Sequence, residues 1–135
     1  MNVFDLHNTS KVYTAFNSQS IVSDTTTTGN IIDTKGFESL EFIMTSGVIT
    51  DGAYTINMQE GDESSLSDVA TVAAAEVLGS IDFALTEDNI SKRVGYVGKK
   101  RYVRITNVSS NTSSGGVFSG VAILANASHQ PVANQ

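Results

Sequence analysis

The sequence contains no cysteine. That excludes disulfide staples, thiolate metal sites and cysteine nucleophiles together, and it makes the chain indifferent to redox conditions. Tryptophan is also absent, and the single proline, Pro131, lies close to the C-terminal end. Charged residues make up only 16% of the 135 residues, with a net charge of −6. No stretch approaches the ~20 apolar residues that a bilayer span requires, so no membrane association is expected. Met1 to Ser10 has neither a basic leader nor an apolar run, and no secretion signal is expected. The Asn-x-Ser/Thr triplets at Asn8, Asn89, Asn107, Asn111 and Asn126 then read as accidents of composition.

Catalytic groups are equally scarce. The two histidines, His7 and His129, each lie near a terminus in polar surroundings. No Gly-x-Ser-x-Gly elbow is present, and Gly95-Tyr96-Val97-Gly98 lacks the pattern of a phosphate loop. The chain is therefore expected not to be an enzyme and to need no cofactor. Metal has one weak set of candidates: Glu60, Asp62, Glu63 and Asp68 bring hard oxygen ligands close together, without the EF-hand pattern.

What is present is strand-forming sequence. Hydrophobic residues reach 40%, and the polar remainder is rich in Ser, Thr and Asn, which favours strands and turns. Leu40, Phe42 and Met44 alternate with Glu41, Ile43 and Thr45, and Tyr54, Ile56 and Met58 alternate with Thr55, Asn57 and Gln59. The Asp51-Gly52 turn signal between them predicts a hairpin, or neighbouring strands joined by a loop. Further strands are predicted over Val12–Phe16, Ser20–Ser23, Arg101–Val108 and Val117–Ala125. The last is apolar on both parities, as a strand is when it is central or when its outer face is covered by another subunit. The polar stretch Ser109–Gly116 is expected to be a mobile loop. Alanine-rich Asp68–Leu78 allows one helical turn or a short helix, and a second turn is expected near Glu87–Ser91. The expected fold is all-β: a single-domain antiparallel β-sandwich, jelly-roll-like, with at most one or two short helical turns. It would occupy 1–135, with an extended N-terminal arm at about 1–10 and a C-terminal tail at about 127–135.

Charge is unevenly distributed. Between Gly36 and Ser91 there is no Lys or Arg, whereas six of the eight basic residues fall between Lys92 and Arg104. Two readings stand: opposite faces suited to head-to-tail contact between subunits, or two solvated edges that never meet. Lys99, Lys100, Arg101, Tyr102 and Arg104 are the partner-binding candidates. The same run, with Tyr96 interleaved, has the make-up of a nucleic-acid track, but the acidic chain as a whole argues against nucleic acid as a partner.

Several phrases carry a resemblance. They are Gly29 to Phe42, Thr50 to Asp62, Arg93 to Ile105 (with its run Gly95-Tyr96-Val97-Gly98-Lys99-Lys100-Arg101-Tyr102-Val103-Arg104), and Ala127 to Val132. Together they resemble a family of small structural proteins of tailed bacteriophages and prophages. The likeness spans about Gly29 to Val132, and departs where this chain has Gly61-Asp62-Glu63-Ser64 in place of a Ser-Asp-Asp-Gly turn. The resemblance implies a virion component made in the host cytoplasm. Its expected role is capsid decoration or cement on the outer capsid surface, with the major capsid protein as partner. Contact with the shell is then expected through the basic run Lys99–Arg104 and the arm Met1–Ser10. A homo-oligomer, such as a trimer, is expected to cover Val117–Ala125. A head–tail connector or tail accessory protein is the alternative within the virion. A carbohydrate-binding β-sandwich module is the alternative of another class.

Overall fold

Alternation of apolar and polar residues along extended segments puts alternate side chains on opposite faces, and two such sheets close over one another to bury their apolar faces. The computed structural model describes residues 5–133. Its strands, in chain order, are β1 (Lys11–Ile21), β2 (Thr26–Thr28), β3 (Ile32–Asp33), β4 (Phe37–Ile49), β5 (Ala53–Gly61) and β6 (Ala70–Thr71). After a 3-10 turn at Ala74–Glu76 come β7 (Val77–Leu78), β8 (Ile81–Phe83), β9 (Ser91–Tyr96), β10 (Tyr102–Ser110) and β11 (Gly116–Ala127). They form an antiparallel sandwich. One five-stranded sheet has the order β1-β11-β4-β9-β7, and a six-stranded sheet has the order β2-β10-β5-β6, with β3 beside β10 and β8 beside β5. Phe16, Phe42, Met44, Phe118 and Leu124 of the first sheet meet Tyr54, Phe83, Val103 and Ile105 of the second in a core of buried side chains.

The all-β sandwich agrees with the sequence, but several local expectations do not. β4 and β5 are not a hairpin: β4 pairs with β11 and β9, whereas β5 pairs with β10, β6 and β8. Alternation says which face of a strand is buried, not which strand lies beside it. Here the two apolar faces are buried against each other across the core. Asp51-Gly52 is accordingly a corner between sheets, with Gly52 at φ +95°. The two short strands expected at the start merge into β1, whose pairing with β11 is irregular between Thr14 and Phe16 and again between Phe16 and Gln19. Helix is limited to the turn Ala74–Glu76, because the residues on either side of it pair with β5 and β9. Strand β9 has no counterpart in the sequence reading, where its residues belonged to the basic run.

The loop after β10 is held rather than loose. The Asp51 carboxylate accepts hydrogen bonds from the backbone N–H of Ser113 (3.1 Å), Ser114 (3.0 Å) and Gly115 (2.7 Å), and from the Ser113 hydroxyl (2.6 Å). Asp24 accepts another from Thr112 N–H at 2.7 Å. Gly115, at φ +86°, lies so close to the Ile21 carbonyl that a Cβ would overlap it. Gly29 is a second tight crossing: its N–H donates to the Ile105 carbonyl while Asn30 N–H donates to that of Ala15, which joins the two sheets.

The Ser113 hydroxyl and the three amides hold the Asp51 carboxyl well below the usual carboxylate range. A depressed folded-state pKa contributes stability above the unfolded-state pKa, and that stability is lost as the pH falls toward the folded value. Thermal unfolding followed across the acid range is therefore expected to show less acid sensitivity in Asp51→Asn than in the parent, with a lower melting temperature at neutral pH. Equal acid sensitivity of the two proteins would remove Asp51 from this role.

Of the expected N-terminal arm, residues 1–4 lie outside the described residues. The rest is not extended: it turns at 7–9, and the Asn8 carbonyl accepts the N–H of Val132. Of the expected tail, 134–135 lie outside the described residues.

Candidate interaction surface

The acidic and basic stretches meet within the molecule, contrary to both readings of the sequence. Lys100 pairs with Asp62, Lys92 with Glu87 at 2.8 Å, and Arg93 loosely with Glu41 at 3.7 Å. Arg101 forks onto Asp33 through Nε and an Nη, both at 2.8 Å, and lies over the Tyr102 ring. The Arg101 guanidinium holds the Asp33 carboxyl below its ordinary value, and the Asp62 carboxylate raises the Lys100 ammonium. Such exposed pairs contribute little stability each. Their consequence is electrostatic, because Lys100 and Arg101 are already neutralised. Arg104 Nε donates to Gln59 Oε1 at 2.8 Å. Among the described residues neither Lys99 nor Arg104 makes an ion pair, so of the five partner-binding candidates Lys99, Tyr102 and Arg104 remain for an outside partner.

Three of the four metal candidates, Glu60, Asp62 and Asp68, have their carboxylates engaged elsewhere. Asp68 accepts the N–H of Asp62 (2.8 Å) and of Glu63 (3.2 Å), closing the loop after β5, and these amides lower its carboxyl. Asp62 turns to Lys100. Glu60 accepts the Tyr96 hydroxyl at 2.5 Å, and that hydroxyl in turn accepts Lys100 N–H at 2.9 Å. Burial and the neighbouring Glu60 carboxylate push the Tyr96 hydroxyl up, so it stays protonated and donating. No group of three or more potential metal ligands converges among the described residues. Tyr96→Phe removes both bonds and leaves Glu60 without its donor. It is expected to cost about 1–2 kcal/mol in chemical denaturation and to speed amide exchange at Lys100. Unchanged exchange there would show that the loop is held by its ion pairs alone.

This loop, residues 97–101, overhangs one end of the five-stranded sheet. Beneath it lies a groove of about 640 Å³ lined by Phe37, Glu41, Leu78, Tyr96, Lys99 and Ile123 among others. The groove opens onto the outer face of the sheet, where the register gives two rows. Val12, Ile123, Glu41, Gly95 and Leu78 stand side by side across β1, β11, β4, β9 and β7, and Thr14, Val121, Ile43 and Arg93 form the row below. Val12 is 46% exposed, Leu78 58% and Val121 36%. A polar row of Ser119, Thr45 and Ser91 follows, with Val117 and Val48 beyond it. The outer face of the six-stranded sheet is different, with Thr55, Asn57 and Gln59 of β5 beside Val108 and Arg104 of β10. The double-parity pattern of Val117–Ala125 was the signal for this surface. Sequence reasoning missed its partners Val12, Ile43, Glu41 and Arg93, because strand order alone brings them alongside.

No protein-family model matches the sequence. No curated protein is similar to it. The solved structures similar to this chain include that of infectious bursal disease virus Gx strain, at a TM-score of 0.48 and 16% identity, with 90% of this chain and 33% of that chain covered. This chain thus spans about a third of the length of that neighbour.

Proposed function

We propose that this protein is a non-catalytic virion structural protein, a capsid decoration or cement component that binds the assembled shell from outside. The observation that carries the reading is the contrast between the two sheet exteriors: a broad apolar stripe on one, and a mostly polar surface of Thr, Asn and Gln on the other. A sandwich that leaves one sheet face apolar gains stability when that face is covered, which suits a protein whose working state is an assembly. The resemblance to small structural proteins of tailed bacteriophages supplies the particle. Shell contact falls to the end of the sandwich that carries Lys99 and Tyr102, with the major capsid protein as partner. Cement action follows from mass action: a ligand that binds only the assembled shell stabilises it over its parts.

The test is the copy number of this protein relative to the major shell protein in purified particles. A ratio near the number of shell subunits, or a simple fraction of it, supports decoration. A handful of copies assigns the chain to a connector or tail position, and absence from particles overturns the virion reading. The carbohydrate-module reading has less support. Its natural site, the groove under loop 97–101, offers no open aromatic platform, since Tyr96 is 7% exposed and Phe37 packs against the core.

A further inference from the structure

The apolar stripe on the five-stranded sheet carries two charges near its centre, Glu41 on β4 and Arg93 on β9. They are of opposite sign and loosely paired at 3.7 Å, with side chains 37% and 77% exposed. The stripe is therefore neutral although the chain carries −6. Two copies of an acidic protein repel each other least where such neutral faces meet, whereas a strongly charged partner gains nothing there.

The register makes the face complementary to itself. A two-fold axis running across the strands, between the row of Ile123 and Glu41 and the row of Val121 and Ile43, exchanges the two rows. It sets Ile123 of each copy over Val121 of the other. Arg93 then lies over Gly95 of the other copy, beside that copy's Leu78 side chain, whose atoms come within 3.3–3.8 Å of where a Gly95 Cβ would stand. Glu41 lies over Ile43 of the other copy, one strand spacing of about 4.8 Å from the line of that copy's Arg93. Four strands at that spacing and about nine residues of length give about 500 Å² per copy and about 1,000 Å² in a pair, the lower end of specific interfaces. An interface of that size associates in a concentration-dependent way.

We infer that the outer face of the five-stranded sheet binds a second copy of this chain across a two-fold axis, with Glu41 of each copy paired to Arg93 of the other. The inference rests on reading this face as an assembly surface, and not on which particle it serves.

Sedimentation velocity of the full chain from micromolar to millimolar concentration is expected to show monomer giving way to dimer. Arg93→Glu and Glu41→Arg each set like charges against each other in a pair, and each is expected to weaken association by about tenfold or more. An equimolar mixture of the two variants restores both cross-pairs and is expected to dimerise as the parent does, with circular dichroism verifying that each variant folds. A parent that stays monomeric throughout, a trimer, single variants that associate as strongly as the parent, or a mixture that fails to pair would each overturn the inference. Particle copy number is measured separately, so a monomer present in particles at shell stoichiometry refutes the pair and leaves the decoration reading standing.

Discussion

Phe118→Ala is expected to cost about 3–5 kcal/mol, a large share of the roughly 5–15 kcal/mol that stabilises a domain. Phe118 is fully buried on β11 and reaches across the sandwich. Its ring centroid lies 4.5 Å from that of Tyr54 and 5.3 Å from that of Phe83, both on strands of the opposite sheet. The loss combines transfer of the ring to water, a cavity between two rigid sheets, and two aromatic contacts worth about 0.5–1.5 kcal/mol each beyond their area. Denaturant unfolding measures it directly, and the melting temperature is expected to drop by about 10–20 °C. Val117→Ala, one residue earlier with its side chain on the outer face, is the matched control and is expected to change stability by less than about 1 kcal/mol. Equal losses at the two positions would contradict the assignment of faces on β11.

The second large effect has the opposite sign. Asn107 lies at the middle of β10, inward-facing and fully buried between β2 and β5. Neither atom of its amide has a hydrogen-bond partner among the described residues. A buried polar group without a partner costs about 1–3 kcal/mol relative to its hydrated state. Leucine has the same number of side-chain heavy atoms in the same branched shape and no polar atom. Asn107→Leu is therefore expected to gain about 1–2 kcal/mol, seen as a higher denaturant midpoint with an unchanged slope. Asn107→Asp is expected to destabilise strongly at neutral pH, since a carboxylate there is charged as well as unpaired. Loss of stability in the leucine variant would mean that the amide is satisfied in solution by a group that an apolar side chain displaces. The same burial settles the sequence triplet beginning at Asn107, because a side chain with no exposed surface is no glycan acceptor in the folded protein.

Several features were legible because they depend on neighbours in sequence. The alternation of Leu40, Phe42 and Met44, and of Tyr54 and Met58, marks buried faces that the structure uses. The double parity of Val117–Ala125 marks both a strand flanked on each side and an apolar exterior. The site candidates were harder to read. Glu60, Asp62 and Asp68 look like free ligands, and Lys100 and Arg101 like free cations, because nothing local indicates that the loop after β5 and the end of β3 reach them. Lys100 and Asp62 are 38 positions apart and Arg101 and Asp33 are 68 apart, so each pair exists only once β10 has docked beside β5 and β3.

By itself the sequence determined the fold class, the buried parity of the main strands and the scarcity of groups for chemistry, since composition and period-two patterning are local properties. Only the tertiary structure decided that β4 and β5 part company at Asp51-Gly52, that the acidic and basic stretches neutralise one another, and that Val12, Ile43, Val121 and Ile123 form one surface. Those outcomes are set by strand order and register, in which one residue of slip would reverse every face, and they depend on long-range pairings that no short stretch of sequence encodes.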